Sequence, residues 1–410
     1  MEINDMATQT LKNWHKVRLD EIANFEYGYT ASAKENDTGT KLLRITDIVP
    51  DLIDWNTVPF CEIDEKGVRQ FEIKKGDILI ARTGATAGYA KLIRRQPQKS
   101  VFASYLIRVR MKKADVSPEY VGRIVESEMF KQFVTIHAGG SAQPHANAPV
   151  LKNFELFLPD AKTQTEIVDV LSAYDDLIEN NTRRIQILEQ LAQAIYTEWF
   201  VNFRFPGHEK EKMIDSDTDF GKIPEGWEVA KVGDIAEFMN GYAFKPRHLG
   251  MIGLPVIKIP ELRSGVLSKT PRNSGESIPK KYFIKNGDIL FSWSATLLVN
   301  IWNSGEGLLN QHLFKVTPKA DYLYSFIFYF LANQIEKYRS HAVGATMQHL
   351  RRDVVINANV LLPNKDLLIK FENIVLDILK ERSILIIENQ NLRQTRDLLL
   401  PKLVTGEIRV

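Results

Sequence analysis

The sequence predicts an α+β protein made twice over. Two similar globular heads are each followed by one long helix, the two helices pack antiparallel, and the halves are related by a pseudo-twofold internal duplication. Three observations predict this. A heptad seam runs unbroken through residues 162–200, a matching seam runs through residues 366–404, and the segments ahead of the two seams align with each other.

The first seam lies in KTQTEIVDVLSAYDDLIENNTRRIQILEQLAQAIYTEWF, which holds no Gly and no Pro. Its positions are Ile167, Leu171, Tyr174, Ile178, Asn181, Ile185, Leu188, Ala192, Ile195 and Trp199, spaced by alternating fours and threes as in a coiled coil. Polar and charged residues fill most other faces, so the helix needs a partner along its length. Some 39 residues at 1.5 Å each make a rod of roughly 58 Å. Asn181 interrupts the apolar seam, and a single Asn there commonly fixes register. Adding 204 to each position gives Phe371, Val375, Ile378, Arg382, Leu385, Asn389, Leu392, Arg396, Leu399 and Leu403, seven of them apolar. Arg382 and Arg396 make this copy less regular. The partner of the first helix is therefore expected in the same chain.

The heads align residue by residue. WHKVRLDEIANFEYGY from Trp14 matches WEVAKVGDIAEFMNGY from Trp227 at an offset of 213. LLRITDI (Leu42 to Ile48) and PVIKIPEL (Pro255 to Leu262) are short β-branched runs. KKGDILIARTGAT (Lys74 to Thr86) faces KNGDILFSWSAT (Lys285 to Thr296) at an offset of 211, and the shared Gly-Asp reads as a turn delivering a buried strand. Tyr105 to Val109 faces His312 to Val316. GGSAQPHANAPVLKNFELFLP (Gly139 to Pro159) faces VGATMQHLRRDVVINANVLLP (Val343 to Pro363) at an offset of 204. Each head also carries a helix near its end, Glu119 to Val134 and Tyr322 to Ser340. The expected layout is a first head at 1–160, a helical region at 161–205, a linker at 206–225, a second head at 226–363 and a helical tail at 364–410. The acidic piece Pro206 to Pro224 reads as a flexible connector.

Composition allows more than one core, since 44% of 410 residues are hydrophobic. The single cysteine, Cys61, permits no internal disulfide and fits a reducing compartment. The richest apolar run, Tyr322 to Ala332, is too short to span a bilayer, and the first ten residues lack the order of a signal peptide. The expectation is a soluble, cytoplasmic protein with no membrane partner. The net charge of +2 is uneven: residues 1–160 carry 22 Lys and Arg against 21 acids, whereas residues 222–363 carry 17 against 11. The second head is thus the basic one, at +6, and a polyanion partner is allowed.

Two similar but unequal heads joined by paired rods suit an elongated ligand that repeats along its axis, as DNA does. Here the chain resembles the specificity subunits of type I restriction–modification systems. The resemblance rests on the duplication, on GDILIARTGAT, on the Gly and Ser/Ala segments before each Leu-Pro, on LEQLAQAIYTEWFVNF (Leu188 to Phe203) and on the tail LLLPKLVTGEIRV (Leu398 to Val410). It covers essentially the whole chain. Departures are the absence of a double Pro before the first helix, Leu368 opposite Gln164, and SWSAT opposite RTGAT. The resemblance implies a non-catalytic subunit whose heads are target-recognition domains. Each would read one half of a bipartite, asymmetric site in double-stranded DNA, with the helices setting the spacing. It also implies two modification subunits that bring S-adenosylmethionine and methylate adenine, and restriction subunits that use ATP and Mg²⁺ to translocate and cut. No cofactor is expected in this chain.

The residues agree independently. There is no dinucleotide or P-loop signature, no Asn-Pro-Pro or Asp-Pro-Pro before an aromatic, and no cysteine pair for zinc. Two rival readings stand beside the DNA reader. One is an Mg²⁺-dependent nuclease acting alone through Pro50-Asp51 and Asp64-Glu65-Lys66, although Asp64 to Gly67 reads more simply as a solvated turn. The other is a coiled-coil assembly scaffold that never meets DNA.

Readout of guanine wants Arg or Lys, and readout of adenine wants Asn or Gln. The candidates in the first head are Arg82, Thr83, Ser141, Gln143, His145 and Asn147. Those in the second are Asn310, Gln311, His312, Gln348, His349, Arg351 and Arg352. Each has a bland alternative: Arg82 can cap a strand turn, and His145 and His349 fall at equivalent positions, as a shared structural role would require. Phe25, Tyr29, Phe238 and Tyr242 read as core. Tyr196, Trp199, Phe200, Phe203 and Phe205 read as docking against the second head rather than as a partner surface. Arg183 and Arg184 read as a solvated face.

Overall fold

The duplication is visible strand by strand. The computed structural model describes residues 14–50, 52–137, 146–216, 218–267, 269–340 and 350–410. The first head is built on a four-stranded antiparallel sheet in the order Ala23–Tyr27, Leu106–Met111, Ile78–Ala81, Ala90–Leu92. In the second head the order is Ala236–Asn240, Leu313–Pro318, Ile289–Ser292, Leu298–Ile301. A parallel pair accompanies each sheet: Lys41–Leu43 with Ser100–Phe102, and Leu254–Ile257 with Gly307–Leu309. An antiparallel pair ties the start of each head to its end: His15–Arg18 with Glu155–Leu158, and Glu228–Lys231 with Asn359–Leu362.

The shared motifs explain this frame. In both Gly-Asp turns the glycine is left-handed, with φ 88° at Gly76 and 91° at Gly287. The aspartate accepts a backbone N–H three residues back: Lys74 to Asp77 at 2.9 Å and Lys285 to Asp288 at 2.9 Å. The strand that follows is buried at every position in both heads. The Gly-Tyr motif answers a different need. A Cβ on Gly28 would lie 2.3 Å from the Ala103 carbonyl oxygen, and one on Gly241 would lie 2.3 Å from that of Asn310. Only glycine admits this crossing, which places Tyr29 and Tyr242 in equivalent parallel bridges to Ala103 and Asn310.

The described residues up to Asn180, with Gln390–Val410, form one compact unit, and Asn181–Asn389 form the other. Each unit contains part of both long helices, Ala161–Tyr196 and Lys365–Val404. No predicted seam position on either helix is exposed. The antiparallel course is plain in the second unit, where Asn181 donates to Glu388 at 3.0 Å, Arg184 to Glu381 at 2.6 Å and Arg382 to Glu189 at 2.6 Å. Asn181 is thus the polar seam position that its sequence context predicts, with Asn389 donating to Thr182 beside it at 3.2 Å.

In the first unit Arg396 donates to Asp175 at 2.6 Å. Asp175 also takes Arg94 at 3.2 Å and Arg123, from the helix Pro118–Glu126. Burial alone would raise the Asp175 carboxyl, but these three guanidinium groups overrule it and hold it below the ordinary range. The two seam arginines are therefore ion-pair positions rather than faults in the packing.

Several expectations are corrected. The single helix expected over Glu119 to Val134 is two, Pro118–Glu126 and Glu128–His137, because Ser127 is extended with ψ 162°. The connector Pro206 to Pro224 contains an antiparallel hairpin, Met213–Asp215 with Lys222–Pro224, whose Ile223 is buried in the second unit's core. The first long helix closes through a π turn at Thr197–Val201, and Phe203 follows at φ 56°. Tyr196, Trp199, Phe200 and Phe205 are buried against Phe326, Phe371 and Trp227, as the docking reading expects. Tyr324–Ser340 is the core helix expected from the apolar run. Among the described residues no helix is long and apolar enough to cross a membrane.

Candidate nucleic-acid interface

In the first head, the strand Ile78–Ala81 emerges from the core at Arg82. The Arg82 N–H donates to the Tyr105 carbonyl at 3.1 Å, and its own carbonyl accepts the Ala146 N–H at 2.8 Å. The guanidinium lies 5.1 Å from the Tyr27 ring centre, within cation–π range. Its Nε has no protein partner among the described residues. The Tyr27 hydroxyl accepts the Ala148 N–H at 3.2 Å. Arg82, Tyr27 and the chain at Ala146–Ala148 therefore form one cluster, with the guanidinium over the Tyr27 ring.

Asn147 is exposed, and its Oδ1 caps the helix Ala148–Lys152 by accepting Val150 N–H at 3.1 Å. Its amide NH₂ remains a donor for a base edge. Thr83 is half-buried at the start of the 3₁₀ turn Gly84–Thr86. Ser141, Gln143 and His145 lie outside the described residues.

In the second head, Trp293 stands where the first has Arg82. Its carbonyl accepts the Leu350 N–H at 2.9 Å, the counterpart of the Arg82–Ala146 bond. Its indole N–H donates to the Gln311 carbonyl at 3.0 Å, and its ring lies 5.8 Å from that of His312. Asn310 is buried, and its side chain accepts the His312 N–H at 3.3 Å within the turn. The His312 Nδ1 lies 3.0 Å from the Ser294 hydroxyl. Gln311 and His312 are half-buried beside Trp293.

Arg351 is exposed, with Asp353 at 3.7 Å as a loose partner. Arg352 lines an open cleft of about 570 Å³ with Asn240, Lys281, Tyr282 and Lys319, and with Glu237 as its one acid. Gln348 and His349 lie outside the described residues. Tyr27, Trp293 and the cleft lysines are the residues that sequence reasoning passed over. The alignment of RTGAT with SWSAT already placed a tryptophan opposite Arg82, which was the available signal.

The nuclease-like pattern resolves differently. Asp64 caps the helix Glu65–Phe71 by accepting the Gly67 N–H at 2.7 Å, so the expected turn is a helix start. Asp51 lies outside the described residues. Among the described residues no group of three or more His, Cys, Asp or Glu is placed to hold a metal ion.

Two heads with the same strand order, each presenting polar and aromatic side chains at equivalent loops and joined by a heptad-paired helix set, define a duplicated recognition protein. The profile described as Type I restriction modification DNA specificity domain matches residues 11–190 and 224–388, and the chain belongs to that family. It is similar to the type I restriction enzyme MjaIX specificity subunit of Methanocaldococcus jannaschii, with 27% identity covering 97% of this chain and 94% of the relative. It is also similar to the HindI specificity subunit of Haemophilus influenzae, with 25% identity covering 85% and 91%. A crystal structure of a type I restriction–modification S subunit from M. genitalium shares the fold at a TM-score of 0.55 and 15% identity, covering 96% of each chain.

Proposed function

We infer that this chain is the DNA sequence-recognition subunit of a type I restriction–modification complex, each head reading one half of a bipartite site. The observation that carries the inference is the equivalence of the Arg82–Ala146 and Trp293–Leu350 junctions. One backbone frame, used twice, presents unlike side chains at its loops. A frame duplicated with unlike tips suits an asymmetric target, because phosphate contacts position a protein while base-edge contacts specify sequence. Membership in a DNA specificity family supports the same reading.

Arg82, Thr83, Asn147, Gln311, His312, Arg351 and Arg352 are the proposed DNA-facing residues among those described, with Arg351 and Arg352 on phosphates. Asn310 supports the turn that carries Gln311 and His312. Ser141, Gln143, His145, Gln348 and His349 complete the set read from sequence. Two modification subunits supply S-adenosylmethionine chemistry on adenine, and restriction subunits supply ATP- and Mg²⁺-dependent cleavage. The complex works in the cytoplasm. The outer faces of the long helices carry these partners.

The test is methylation mapping in cells that carry this gene with its modification partner. A single bipartite, interrupted motif is expected. Absence of any methylated motif, together with no salt-dependent binding of duplex DNA by the purified complex, would overturn the reading.

A further inference from the structure

We propose that the tip Gly250–Gly253 of the second head is an apolar wedge that enters duplex DNA between base steps. The proposal rests on the DNA-reading role above and adds a contact type that the candidate residues do not supply.

Met251 and Ile252 occupy this tip and are 66% and 88% exposed. Isolated exposed apolar residues are ordinary, but two adjacent ones at the summit of a braced turn are not explained by packing. The turn is braced by hydrogen bonds to the segment Arg272–Asn273. Gly250 exchanges both backbone hydrogen bonds with Arg272 at 2.8 Å, and the Arg272 guanidinium donates to the Gly253 carbonyl at 2.8 Å. The Asn273 amide donates to the His248 carbonyl at 2.7 Å. Gly253 has φ 101°, and a Cβ there would meet the Asn273 carbonyl oxygen at 2.2 Å, so the crossing is as tight as a backbone allows. Two apolar side chains are thus presented on a stiff support, which lowers the entropy lost on insertion.

Charge identifies the occupant. The segment 245–253 carries Lys245 and Arg247 and no acid, and residues 269–285 carry five Lys or Arg against the single acid Glu276. An aromatic row connects the tip to the basic cleft, since His248 lies 6.3 Å from Tyr242, and Tyr242 lies 5.4 Å from Tyr282 on the cleft wall. An apolar point flanked by basic segments is the pattern of proteins that unstack a base step while gripping the flanking phosphates.

Among the described residues, the first head carries no such point at the corresponding turn. At the equivalent turn it has Asp37, Thr38 and Gly39, with the Asp37 carboxylate accepting the Gly39 N–H at 2.7 Å. The wedge therefore belongs to one half-site only.

The experiment uses the chain assembled with its modification subunits and a duplex of the mapped site, with 2-aminopurine walked through each half. The wild-type complex should raise fluorescence severalfold at one step in the second head's half-site, away from the methylated adenine. The double variant Met251→Ser/Ile252→Ser should lose that signal and bind about tenfold more weakly, with an unchanged dependence on salt. Ile252→Leu should keep both properties, whereas Arg352→Ala should lower the salt slope by about 1. Unchanged fluorescence and affinity in the double variant would overturn the wedge. So would weakened capture of the modification subunits with DNA binding intact, which would make the tip a protein-docking surface. Failure of the wild-type complex to bind any duplex would sink the DNA-reading role itself, so the two failures are distinguishable.

Discussion

Each head holds the start of its main helix in a different way. In the first, Gln164 is buried and accepts the Ser117 N–H at 2.8 Å, while its amide donates to the carbonyls of Asp115 at 3.1 Å and Pro159 at 2.9 Å. The second has Leu368 at the equivalent position, buried in the core. There Glu372, one turn further along, accepts the Ser325 N–H at 2.9 Å and its hydroxyl at 3.1 Å. Burial pushes the Glu372 carboxyl up, and the two Ser325 hydrogen bonds act against that rise. In both copies a side chain on the long helix reaches a backbone N–H at the start of a helix in the head, Ser117 in one and Ser325 in the other, but it does so from positions one turn apart. The backbone demand survives duplication while the side chain answering it drifts. The loop tips drift as well: Arg82 stands opposite Trp293 on the same backbone junction, and Asp37-Thr38-Gly39 stands opposite Gly250-Met251-Ile252.

This comparison can be broken or sharpened in four ways. Replacing residues 14–159 with the first head of another family member should exchange one half of the methylated motif completely and leave the other untouched. A change in both halves, read by methylation mapping, would end the division of labour. Next in size, Gly28→Ala and Gly241→Ala should each destabilise by more than about 3 kcal/mol, because both force a Cβ onto a backbone oxygen. Calorimetry that finds only one of them costly would break the equivalence of the two crossings.

Asp175→Asn should cost about 3 kcal/mol by leaving Arg123 and Arg396 with too little counter-charge in a buried site. The carboxyl is held below its unfolded value of about 3.9, so its stabilising share is present at neutral pH and fades as pH falls through the folded value. Acid titration of the variant should lack that loss, and an identical acid limb would count against the cluster. The smallest effect is expected from Gln164→Leu, about 1–3 kcal/mol for unmet buried groups at the first helix start. The same residue is native at 368, so adding Val168→Glu to Gln164→Leu, which copies the Glu372 position, should restore part of the loss in thermal unfolding.

Local repetition made much of this protein legible from the sequence. The four-and-three spacing from Ile167 to Trp199 and the paired Gly-Asp and Gly-Tyr motifs each state a backbone requirement within a few residues, so the long helices and the matched turns could be read directly, while the order of strands within each sheet came only from the structure. The candidate site was read less completely. Arg82 and Asn147 were found as residue types suited to base edges, but their meeting beside Tyr27 joins segments more than 50 residues apart. Arg382 and Arg396 looked like defects because their acids, Glu189 and Asp175, stand about two hundred positions away. The connector hairpin was missed for a similar reason, since its Ile223 is stabilised by a core to which distant segments contribute. Periodicity and turn chemistry are properties of neighbouring residues, and the sequence alone determined the elements they specify. Ion pairing, the relocated helix cap and the braced apolar tip depend on which distant surfaces meet, and only the tertiary structure decided those.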